Sequence, residues 1–89
     1  MPTVEFTRNL ARHVACPSEA VEGDTVGAAL EAYFARHPRV RPYVLDEQGR
    51  VRHHVTVFVD GAQLRERARL DEAVGEASVV SVMQALSGG

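Results

Sequence analysis

The residues best suited to chemistry lie at the end of the chain, in Ala85-Leu86-Ser87-Gly88-Gly89, where an apolar alternation gives way to a diglycine. Neither Gly88 nor Gly89 carries a Cβ, so the backbone can thread a narrow channel in any φ/ψ combination and the terminal carbonyl carbon is open to a nucleophile. Five extended residues reach about 16 Å, far enough to enter the active site of another protein. The pattern predicts that the carboxylate of Gly89 is the working group, with Gly88 and Ser87 threading the channel and Leu86 and Ala85 docking the base of the tail. Frayed ends and linkers also carry Gly and Ser. The distinguishing feature is position: the diglycine follows Ser78-Val79-Val80-Ser81-Val82-Met83, a strand pattern that holds it at a fixed place relative to a sheet.

The other chemically capable side chains do not converge in the sequence. Cys16 is the single cysteine, which excludes an internal disulfide framework and a cysteine-based zinc site. No Cys-His-acid pattern accompanies it, so it reads as a structural thiol. His53 and His54 are adjacent and, if placed on a strand, point to opposite faces; with His13 and His37 remote, no metal site is expected. Arg65, Arg67 and Arg69 form either a docking strip or, with Glu66, Asp71 and Glu72 beside them, a solvated mixed-charge surface. All ten basic residues are Arg, which leaves the N-terminus as the one amine able to accept an isopeptide bond. No set of acid, base and nucleophile appears, so the chain is not expected to be an enzyme.

Composition narrows the classes further. Eighty-nine residues make one domain, and 45% hydrophobic with 25% charged residues is ordinary for a globular protein. A net charge of -2 gives no electrostatic case for nucleic acid or an anionic membrane. No apolar run approaches the roughly 20 residues needed to span a bilayer, and no basic segment followed by an apolar core opens the chain. The expected location is cytoplasmic.

The elements that must position the tail can be read in order. Thr3-Val4-Glu5-Phe6-Thr7 alternates as a half-buried strand with Val4 and Phe6 inward, and a turn follows over 8–12. Pro17 cannot donate to a ladder, so the next strand is either an edge strand or a short one over about 18–21, completing an N-terminal hairpin. Asp24 or Thr25 can cap a helix over 26–37, whose Val26, Ala29, Leu30, Tyr33 and Phe34 form one apolar stripe and which Pro38 ends. Residues 39–49 are irregular, with Tyr43, Val44 and Leu45 pinning the segment and a turn at 46–49. A strand over 51–59 puts Val55, Val57 and Val59 on one face and His54, Thr56 and Phe58 on the other. Phe58 is therefore either buried on a covered face or an aromatic anchor for a partner on an open one. Asp60-Gly61 signals a tight hairpin with a return strand near Gln63-Leu64. A one-turn helix closed by Gly75 is expected over 70–75, then a last strand over 77–83. The order predicts an α+β fold, one main helix across a mixed four- to five-stranded sheet. The domain covers 1–84, with 85–89 a flexible tail.

This order, with a diglycine directly behind the last strand, resembles the ubiquitin-like β-grasp sulfur carriers of the molybdopterin-synthase small subunit, thiamine and cysteine-biosynthesis type. The resemblance is carried by Gly23-Asp24-Thr25-Val26 at the helix entry, by Val57-Phe58-Val59-Asp60-Gly61 at a strand and hairpin, and by Val80-Ser81-Val82 running to Gly88-Gly89. It implies a protein cosubstrate with no bound cofactor. An E1-like activating enzyme would use ATP to adenylate Gly89, a sulfur donor would convert the adenylate to a thiocarboxylate, and a biosynthetic enzyme would accept the sulfur. The other class compatible with the same tail is a ubiquitin-like protein modifier or interaction module.

Overall fold

The computed structural model describes residues 1–67 and 70–84 of the 89-residue chain. Five strands form one sheet: β1 (Thr3–Phe6), β2 (Glu19–Ala20), β3 (Val55–Val59), β4 (Ala62–Gln63) and β5 (Val79–Gln84). Their order across the sheet is β2-β1-β5-β3-β4, so the last strand is the central one. It runs parallel to β1 and antiparallel to β3, while β2 and β4 add antiparallel edges. Among the described residues three helices accompany the sheet: α1 (Arg8–Ala11), α2 (Val26–Arg36) and α3 (Arg41–Val44). Only α2 among them exceeds one turn, and none of the described helices is long and apolar enough to cross a membrane.

The core forms because two periodicities meet. The period-3.6 stripe of α2 buries Val26, Ala29, Leu30, Tyr33 and Phe34, and the period-2 faces of the strands bury Val4, Val55, Val57, Val59, Val80 and Val82. Phe6 is half-buried and packs on this cluster, its ring centroid 4.9 Å from that of Tyr33. The Tyr33 hydroxyl lies at the border of the core and donates to the Pro17 carbonyl at 2.7 Å, so the aromatic body is buried without an orphaned donor. Burial pushes the Tyr33 pKa up from its ordinary value.

The helix entry explains the glycine of Gly23-Asp24-Thr25-Val26. Gly23 has φ +150°, and a Cβ there would lie 2.6 Å from the backbone nitrogen of Ala29. The N–H groups of Val26, Gly27 and Ala28, which have no acceptor within the helix, each find one outside it, and Ala29 makes the first regular helical bond. Val26 donates to the Glu72 carbonyl at 2.9 Å, Gly27 to the Leu70 carbonyl at 2.7 Å, Ala28 to Thr25 Oγ1 at 3.1 Å and Ala29 to the Thr25 carbonyl at 2.9 Å. Thr25 is thus the cap. At the other end His37, held out of the α region by Pro38, has φ -132° and ψ 69°.

Several expectations are corrected. Residues 70–75 form no helical turn: the carbonyls of Leu70 and Glu72 point at the α2 N-terminus, and Ala73 bridges Thr25 in antiparallel fashion. Local propensity there yields to satisfying a helix end. Conversely, the turn expected over 8–12 contains a short helix, α1 (Arg8–Ala11), which buries Leu10 in the core, and Pro42 starts the one-turn α3 near its N-terminus. Tyr43 is 36% exposed and stacks over His13, whereas Val44 and Leu45 are buried as expected. The strand expected over 51–59 begins at Val55, Val51 making only an isolated bridge to Leu45. The last strand begins at Val79 rather than 77. The Asp60-Gly61 hairpin is as read, with φ of 50° and 86° at its two central residues.

Candidate functional site at the sheet end

The central strand carries the tail. β5 alternates, with Val80 and Val82 buried beneath α2 and Ser81 and Met83 on the opposite face. Its last residue, Gln84, pairs with Val55 at the start of β3, and its backbone N–H lies 3.5 Å from Thr7 Oγ1 just beyond β1. The tail therefore starts from the middle of the sheet, where β3 begins opposite Gln84 and β1 has ended two residues earlier opposite Val82. Its residues Ala85, Leu86, Ser87, Gly88 and Gly89 lie outside the described residues, as do Ala68 and Arg69.

Phe58 and Met83 stand on the sheet face that α2 does not cover, with Val79 further back along β5. Phe58 pairs with Ser81 and Thr56 with Met83, so Phe58 and Met83 are diagonal neighbours on that face. Phe58 is half-buried and stands outside the buried core; Met83 is 44% exposed. Sequence reasoning weighed Phe58 but missed Met83. Its place in the alternation Val80, Val82 against Ser81, Met83 was the signal available. On the helix side of the same strand end, Gln84 Oε1 is buried and accepts no hydrogen bond from the described residues.

A second group of polar side chains stands beside the strand start. Arg67 is half-buried, and its guanidinium donates to the carbonyls of Arg52 and Val55, while its own carbonyl accepts from Val51 N–H at 3.0 Å. The expected solvated strip is thus corrected at Arg67, which ties the loop before β3 to the segment after β4. His53 and His54 occupy a turn closed by Val55 N–H donating to the Arg52 carbonyl, not a strand, and their rings meet edge to face at 5.5 Å. Asp46 accepts from the backbone N–H groups of Arg50 and Gln48, which hold its carboxyl below the usual range, the Arg50 bond contributing most. Cys16 is half-buried against the core, and burial pushes its thiol pKa up, away from the thiolate.

A helix packed across a five-stranded mixed sheet, with the first and last strands parallel at the centre, defines a ubiquitin-like β-grasp protein. The chain belongs to the ThiS family, whose model matches residues 8–89. Among solved structures it is similar to SAMP1 from Haloferax volcanii, at 26% identity over 99% of this chain and 98% of that one, with a TM-score of 0.78. It shares its fold with a chain of the Amycolatopsis orientalis BexX/CysO complex, at 21% identity over all of both chains and a TM-score of 0.83. The same holds for Mycobacterium tuberculosis CysO, at 22% identity over 97% of this chain and 100% of that one, with a TM-score of 0.80. Comparison with curated proteins returns no match. In general kind the protein is a ubiquitin-like sulfur carrier or modifier.

Proposed function

We propose that the protein is a sulfur carrier, a cosubstrate whose Gly89 carboxylate is activated and thiolated by partner enzymes. The observation that carries the reading is the match of residues 8–89 to the ThiS family together with the register of Gln84 on the central strand, five residues before Gly89. An activating enzyme joins the Gly89 carboxylate oxygen to the α-phosphorus of ATP and releases pyrophosphate. A sulfur donor at the oxidation level of hydrosulfide then attacks the carbonyl carbon, the acyl–phosphate bond breaks as AMP departs, and loss of the sulfur-bound proton leaves a thiocarboxylate for a biosynthetic enzyme to consume. ATP is the partner's substrate, and the carrier contributes the acyl group and the docking surface. Phe58 and Met83 on the open sheet face, with Leu86 and Ala85 at the base of the tail, dock the partner; Ser87 and Gly88 thread its channel.

A modifier role is the second reading, favoured by the similarity to SAMP1, whose Haloferax volcanii structure is described as a small archaeal modifier protein. Mass spectrometry of the protein isolated from its own cells separates the two. A gain of about 16 Da at the C-terminus marks oxygen replaced by sulfur, whereas branched Gly-Gly peptides on other proteins mark conjugation. An unmodified C-terminus in cells that contain the activating enzyme and donor would contradict both.

A further inference from the structure

The basic groove beside the tail root has no place in the chemistry of activation. It is an open cleft of about 460 Å³ in which Arg50, Arg52, Arg65 and Arg67 stand with His53 and His54, against the two carboxylates of Asp46 and Glu66. Position gives it meaning. Arg67 is bonded to the carbonyls of Arg52 and Val55, and Val55 is the register partner of Gln84, so the groove flanks the level at which the chain leaves the sheet.

Two of the arginines are held by backbone carbonyls. Arg52 Nε donates to the Pro42 carbonyl at 2.7 Å, Arg67 donates to two carbonyls, and neither makes an ion pair among the described residues. A guanidinium has five N–H donors, so bonds to backbone carbonyls leave others for an incoming carboxylate while fixing the side chain in advance. Arg50 is paired with Asp46 at 3.4 Å, and the exposed Arg65 makes no ion pair among the described residues. The groove is a preset cationic cradle on a chain whose net charge is -2. That contrast favours a short acidic segment over a polyanion: a nucleic acid would lay further phosphates along a surface of its own sign.

We propose that this groove docks an acidic segment of the partner protein that takes the tail, at the mouth of the channel the diglycine enters. The inference rests on the carrier reading for the identity of that partner. Charge complementarity at the tail root aligns the tail before its apolar base engages, so it governs encounter more than the chemical step.

The test is ATP-pyrophosphate exchange by the activating enzyme from the same cells, with wild type and Arg65→Glu, at low and high salt. For Arg65→Glu the KM for the carrier rises about tenfold with kcat unchanged, and the salt dependence seen with wild type flattens. Unchanged KM and unchanged salt dependence in a folded variant overturn the proposal. If wild type supports no exchange, the carrier reading fails by itself. The groove is then decided by titrating isotope-labelled protein with a hexaglutamate peptide. Amide shifts over 50–54 and 65–67 that vanish in Arg65→Glu uphold an acidic-segment site; absence of shifts, or tighter binding of a uridine hexanucleotide than of the peptide, overturns it.

Discussion

The first turn of α2 and the last turn of β5 end their elements in opposite ways. At the helix, the three N–H groups of Val26, Gly27 and Ala28 meet three acceptors, two of them supplied by the segment at 70–72, and Gly23 lets the backbone close to within contact of Ala29. At the strand, Gln84 leaves a buried oxygen without a donor among the described residues, Met83 is exposed, and arginines stand fixed beside the exit. One end is completed within the chain, and the other is the end at which the proposed carrier function places the partner. On that proposal, substitutions at the two ends should separate stability from interaction.

The largest effect is expected in the core beneath the closed end. Leu30→Ala removes a fully buried side chain and should cost about 2–5 kcal/mol in denaturant unfolding, whereas deleting Gly89 should leave the unfolding midpoint where it is. Equal losses from the two changes would mean that the tail belongs to the fold. Gly23→Ala should come next, at more than about 1 kcal/mol, because the new methyl group meets backbone at 2.6 Å and cannot be moved aside by a rotamer change. Thr25→Ala removes one cap bond to Ala28 and should cost about 1 kcal/mol, with Thr25→Ser restoring most of it. At the open end, Met83→Ser should change stability by less than about 0.5 kcal/mol while raising the KM for the carrier in exchange assays. A stability loss at Met83 matching that at Thr25 would erase the contrast.

What could be read in the sequence follows the same division. The α2 stripe, the Thr25 cap, the Asp60-Gly61 turn and the inward valines of β3 are local patterns, and each matches the structure. Residues 70–75 were misread because their conformation is set by the needs of a helix end more than 40 positions earlier, which no window on the sequence contains. Arg67 was misread for a similar reason, since its acceptors are the carbonyls of Arg52 and Val55 across a loop. Position on the central strand also came only with the sheet order; the sequence places the diglycine behind a strand but not which strands flank it. The docking of Leu86 and Ala85 and the threading of Ser87, Gly88 and Gly89 fall on residues outside those described.

The most direct test of the central claim is ATP-pyrophosphate exchange by the cognate activating enzyme with four forms of the protein: wild type, Leu86→Asp, Gly88→Val and a form extended by one residue past Gly89. Wild type should support exchange, with the acyl-adenylate forming at Gly89. Leu86→Asp should weaken docking because a charge would enter an apolar contact. Gly88→Val should fail because a β-branched side chain crowds a channel shaped for bare backbone. The extended form should also fail, since its reacting carboxylate is no longer that of Gly89. Equal exchange by all four would contradict the account, because the enzyme would then not be reading the tail.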